Sequence, residues 1–108
     1  MEAFELSRLA RTRRESGQLY LEFLKHESLS MGLYELSAGG ADPQRPHSED
    51  EVYVVQSGAA MIRVGDEDRA VGAGSIVFVA AGVPHRFHSI TEDLSVLVLF
   101  APAEYSRG

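Results

Sequence analysis

Arg45-Pro46-His47-Ser48-Glu49-Asp50-Glu51-Val52-Tyr53-Val54-Val55-Gln56-Ser57-Gly58 runs from a polar loop into a β-branched and aromatic segment and stops at a glycine. Valine and tyrosine lose rotamer freedom in a helix and suit a pleated surface, so Glu51–Gln56 reads as a strand. Strand side chains alternate with period 2. If the extended backbone begins near His47, then His47, Glu49, Glu51 and Tyr53 share one face. Imidazole and carboxylates on one wall invite a divalent metal ion.

The same grammar extends in both directions. Upstream, Leu19–Leu24 and Leu29–Leu36 read as strands, followed by the loop Ser37-Ala38-Gly39-Gly40-Ala41-Asp42-Pro43. Downstream, strands fit Ala59–Val64, Arg69–Val71, Ser75–Val79, His85–Ser89 and Leu94–Phe100, with Gly65-Asp66-Glu67-Asp68 as a hairpin turn. Short strands punctuated at regular intervals define an all-β sandwich or barrel, not alternating βα units. Residues 4–16 fit a short helix stopped by Gly17, carrying Arg8, Arg11, Arg13 and Arg14 on a solvated face, or as an anion site or a contact with an acidic partner subunit. The expected organisation is an N-terminal helix or arm over 1–18 and a single barrel domain over 19–108. Met61 and Phe78 are expected in the core.

Bulk properties narrow the function. The chain has 108 residues, 10 basic against 16 acidic side chains, and no cysteine. A domain this small buries only about 60–65% of the surface its unfolded chain exposes. Val52–Val55 and Val96–Phe100 are apolar on both faces, so one parity lines the interior and the other needs cover. An opposing sheet, the N-terminal helix or a second subunit would supply that cover, and a homodimer is expected. Without cysteine there is no disulfide framework and no thiolate zinc site. A net charge of −6 argues against nucleic acid as a partner, since phosphate neutralisation needs a basic surplus. The purest apolar run, Val96–Ala101, falls far short of the roughly 20 residues that span a bilayer. The start Met1-Glu2-Ala3-Phe4-Glu5 lacks the basic opening of a signal peptide, so a cytoplasmic location is expected.

His85, after the tight segment Ala81-Gly82-Val83-Pro84, opens a strand that would face the first one; here the sequence resembles a small single-domain cupin, over roughly Gly39–Pro102. The first cupin motif is a Gly, then His-x-His, three or four residues, Glu, six residues and Gly; Glu51 and Gly58 fit its second half. The second is Gly, five residues, Pro-x-Gly, two residues, His, three residues and Asn. Gly74, Gly82 and His85 match it, with Ala80 in place of the Pro and Ser89 in place of the Asn. The resemblance implies a double-stranded β-helix, or jelly-roll barrel. It places His47 on the second His position and Arg45 on the first, where a guanidinium cannot ligate a metal. The ligand set so implied is His47, Glu51 and His85, with Gln44 near enough in sequence to offer an amide oxygen. A shifted match, with His47 and Glu49 on the two positions, needs an unusual spacing to Glu51 and is disfavoured.

The implied cofactor is a divalent ion, one of iron, manganese, nickel or zinc. Glu49 or Tyr53 would move protons on a small oxygen-bearing organic substrate, in a dioxygenase-like reaction or a metal-assisted isomerisation. The alternatives are a non-catalytic small-molecule-binding module and a metal-free epimerase-like cupin using Arg45 and Arg86 to hold an anion. His26 reads as a turn residue, and His88 has the wrong parity to join His85.

Overall fold

The computed structural model describes residues 1–104; the last four residues of the expected barrel domain, 105–108, lie outside the described residues. The elements are α1 (Leu6–Ser16), β1 (Tyr20–Lys25), β2 (Ser30–Leu36), β3 (Asp50–Val64), β4 (Glu67–Gly72), β5 (Ile76–Val79) and β6 (His85–Ala101). The fold is the expected all-β jelly roll with one short helix. All pairings are antiparallel, in the order β1-β2-β6-β3-β4, with β5 beside the first half of β3 on the edge that β4 takes farther along.

Two segments read from sequence as strand pairs are each one long strand. At about 3.3 Å per residue, a straight β6 of 17 residues would exceed 50 Å, yet the longest dimension of the molecule is 36 Å. Both long strands therefore bend. The β3–β6 register shifts between Val55 and Met61, around Gly58. There Gly58 has φ +98°, and a Cβ would lie 2.2 Å from the Asp93 carbonyl oxygen. On the facing strand Ser89 has φ +50°. A kink with a continuous ladder is a bulged strand, not a strand end.

The bend divides the sheet into two layers. The first half of β3 pairs with β5 and the end of β6, which continues to β2 and β1; its second half pairs with β4 and the start of β6. Between the layers lies one core cluster that includes Tyr34, Tyr53, Ile62, Phe87, Leu94, Val96 and Phe100. Because Glu51 starts β3 and His85 starts β6, the two enter the interior from opposite layers and meet across it.

The helix ends as expected at Gly17, in the left-handed region with φ 72°. No residue of α1 is buried. It is fastened to the first layer by Arg13, whose Nε lies 2.6 Å from Glu35 Oε1 and whose guanidinium also donates to the Gln18 carbonyl. Arg13 is therefore not on a solvated face. Just before the helix, Phe4 stacks edge-on against Phe23.

Phe78 corrects the expected core. Alternation along β5 turns Val77 and Val79 inward, and leaves Ile76 and Phe78 71% and 61% exposed. Met61 is half-buried. Among the described residues, no helix is long and apolar enough to cross a membrane.

Candidate metal centre

Three side chains converge in the interior. Glu51, buried at the start of β3, and His85, buried at the start of β6, meet with His85 Nε2 2.5 Å from Glu51 Oε1. His47, on the loop before β3, turns Nδ1 toward Glu51 Oε2 at 3.8 Å. Donor atoms from all three lie within 4.8 Å of one another.

Local structure fixes each position. The His47 carbonyl accepts the Gly82 N–H at 2.7 Å, tying the loop before β3 to the turn before β6. Gly82 reaches this geometry with φ +77°, which an L side chain rarely adopts. The ring nitrogen Nδ1 of His85 lies 2.9 Å from the Val83 carbonyl, which leaves Nε2 to face Glu51. Phe100 packs against the His47 ring at 4.6 Å between centroids.

The donors fit a divalent ion. Both Glu51 oxygens and His85 Nε2 are buried without a hydrogen bond, although Oε1 and Nε2 are in close ion-pair contact. Buried polar atoms are ordinarily satisfied, and exceptions point to a missing partner such as an ion. Two imidazoles and a carboxylate are a suitable set for first-row transition metals. Metal–donor bonds of about 2.0–2.2 Å put neighbouring donors roughly 3 Å apart, inside the range these atoms span. Burial works to lower the His85 pKa, but the close contact and charge of Glu51, with the Val83 carbonyl and Asp42, outweigh it and raise the pKa. The proton so held is one that a divalent ion would displace.

Other expected site residues stand around this cluster. Tyr53 is fully buried, its ring 5.9 Å from that of His85. Its hydroxyl donates to Gln44 Oε1 at 2.9 Å. Gln44 Nε2 in turn donates to Asp42 Oδ2 at 2.7 Å, so its amide spans Asp42 and Tyr53 and is not left open as a donor toward the cluster. Burial, then the charge of Glu51, pushes the Tyr53 pKa well up, so the phenol keeps its proton. Glu49 is buried and accepts from the Ser48 hydroxyl at 2.5 Å; it is not in the three-residue cluster and not on the cavity wall. His88 pairs with Asp68 and His26 with Glu2, both away from the cluster.

Two residues were not anticipated. Asp42 accepts from the Tyr34 hydroxyl and from the Gln44 and Phe87 backbone N–H groups, as well as from the Gln44 amide. Glu104, buried just after β6, places Oε2 2.9 Å from His47 Nε2. An Asp ahead of Pro43 gave a weak turn signal; nothing in the sequence near Glu104 pointed to the site. A cavity of about 880 Å³ opens beside His47 and Glu104, walled in part by Tyr20, Tyr34, Arg45 and Phe100. That volume suits a small organic molecule.

With fold and cluster in place, the comparisons agree. Residues 32–101 match the Cupin domain family, and the chain belongs to that family. A protein from Streptomyces coelicolor, described only as uncharacterized, is 52% identical over 104 residues, covering 96% of this chain and 99% of its own. The crystal structure of TT1209 from Thermus thermophilus superposes with a TM-score of 0.74 at 31% identity, over 95% of this chain and 99% of that one. The DMSP lyase DddQ from Ruegeria pomeroyi shares the fold, with a TM-score of 0.69 at 23% identity, over 81% of this chain and 49% of that one.

Proposed function

We propose that this cupin is a metal-dependent enzyme acting on a small oxygen-bearing organic substrate, by dioxygenase-like oxygenation or by isomerisation. The observation that carries the reading is the buried His47–Glu51–His85 cluster beside a cavity of about 880 Å³. His47, Glu51 and His85 would hold iron, manganese, nickel or zinc. A bound ion would supply Lewis acidity toward chelating oxygens and, if redox-active, dioxygen chemistry.

The chain's own groups do the rest. Tyr53, kept neutral by burial and by Glu51, is a hydrogen-bond donor rather than a base. Asp42 and Gln44 hold its hydroxyl in place, so in this reading Gln44 braces Tyr53 and does not ligate. Arg45, exposed on the cavity wall, suits a substrate carboxylate because its planar fork matches carboxylate geometry. Glu49 and Tyr53 both lie off the cavity wall, and Tyr53 stands nearer the cluster through the contact of its ring with His85. The same reading takes the barrel, residues 19–108, as one domain working as a cytoplasmic homodimer.

Elemental analysis after reconstitution tests the ligand set. The wild-type chain should carry about one ion, and His47→Ala and Glu51→Ala should each lose most of it. Full metal content in both variants would sink the assignment. Turnover of diketones, phenols and keto-sugars, with and without oxygen, then separates oxygenation from isomerisation. Tight binding with no turnover by the loaded protein would favour a binding module.

A further inference from the structure

Glu104 contributes no donor to the cluster, yet its carboxylate is buried against one of the three residues that do. We propose that Glu104 is a positioning residue: it accepts a hydrogen bond from His47 Nε2–H and thereby makes Nδ1 the metal-binding atom of His47. This rests on the reading of His47 as a ligand.

A neutral imidazole carries one proton on its two ring nitrogens, and the stronger acceptor decides which nitrogen keeps it. Glu104 Oε2 stands 2.9 Å from Nε2, while Nδ1 faces Glu51 Oε2 at 3.8 Å. The carboxylate holds the proton on Nε2, and the lone pair is left on Nδ1, on the cluster side. His85 is arranged the opposite way. Its Nδ1 meets the Val83 carbonyl at 2.9 Å, and Nε2 faces Glu51. The two histidines therefore offer different nitrogens, each selected by what the other nitrogen touches. A carboxylate behind a ligating histidine fixes ring orientation and raises donor basicity.

The lock is itself held. The Glu104 N–H donates to the buried Ser30 hydroxyl at 2.9 Å, and the Ala103 N–H to the Glu27 carbonyl at 3.4 Å. These contacts bring the segment after β6 across the start of β2, and Phe100 packs on the His47 ring. The segment that follows the last strand thus completes the site from outside both sequence motifs.

Zinc is the probe, with affinity read by chelator competition and ring nitrogens by long-range proton–nitrogen NMR on the full chain. Expected are zinc on Nδ1 of His47 with Nε2 protonated, and zinc on Nε2 of His85. Glu104→Ala should weaken zinc about 10–100-fold. Glu104→Gln, whose carbonyl oxygen still accepts, should restore most of that loss, which a purely structural role for the charge would not produce. Zinc on Nε2 of His47 in the wild-type chain overturns the proposal without any variant. So does a folded Glu104→Ala that binds zinc about as tightly as wild type. If the wild-type chain takes up no metal, the ligand reading fails and the lock is judged on the metal-free ring. There a single Nε2–H tautomer that becomes mixed in Glu104→Ala supports it, and a mixed tautomer in both overturns it.

Discussion

In the proposed reading Arg45 stands where the cupin motif has its first histidine. That leaves His47, Glu51 and His85 as the candidate donors, and the Gln44 amide is committed elsewhere. Gln44 joins Asp42 to the Tyr53 hydroxyl, and the Tyr53 ring lies beside His85. If that chain is a brace, Tyr53→Phe should leave metal content unchanged while leaving Gln44 Oε1 without its donor, at a cost of about 1–2 kcal/mol. Urea denaturation and elemental analysis of the same sample check both halves; loss of metal would instead make Tyr53 part of the binding set. Glu51, Gly58, Gly82 and His85 were legible because the motif spacings span single turns and strand starts. Glu104 was not: it reaches His47 across 57 positions by the route of the segment after β6, which local patterning does not encode.

Strand existence was legible in period-2 runs, but strand continuity was not. Gly58 reads as a stop in sequence, since glycine weakens a strand interior. In the fold it is the place where β3 crosses from one layer to the other against the Asp93 carbonyl. Gly74 offers the contrast: its φ is +90°, yet a Cβ there would meet nothing within 4 Å. Gly74→Ala therefore carries the backbone strain alone, about 1–2 kcal/mol. Gly58→Ala adds a clash with backbone that cannot yield without moving β6, and should cost more than about 3 kcal/mol. Thermal melts of the two variants check the ranking; equal losses would show that the close approach to Asp93 contributes nothing. Helix α1 follows the same lesson. Its cap at Gly17 was visible in sequence, while the fastening of Arg13 to Glu35 depends on β2 lying beneath the last turn.

At the scale of the whole molecule, the apolar parity that faces away from the core is only partly covered. Val52, Val54, Leu97 and Leu99 are half-buried on that side, and their ladder neighbours Phe78 and Ile76 extend the surface outward on the edge strand β5. Helix α1 rests on β1 and β2, at the other side of this layer, so it does not reach β5. We expect a second copy of the chain to cover the surface by a two-fold contact, in which each side chain is buried twice. Fully burying a phenylalanine is worth about 1.5–3 kcal/mol, and Phe78 is 61% exposed, so two copies of Phe78 would contribute roughly 2–4 kcal/mol to association. Phe78→Glu should then weaken the dimer by about one and a half to three powers of ten and give a monomer in sedimentation velocity. Because Phe78 points away from the core, the variant should keep its fold and its metal content. A wild-type chain that sediments as a monomer at high micromolar concentration would remove the argument. A Phe78→Glu dimer as tight as wild type would move the interface off β5.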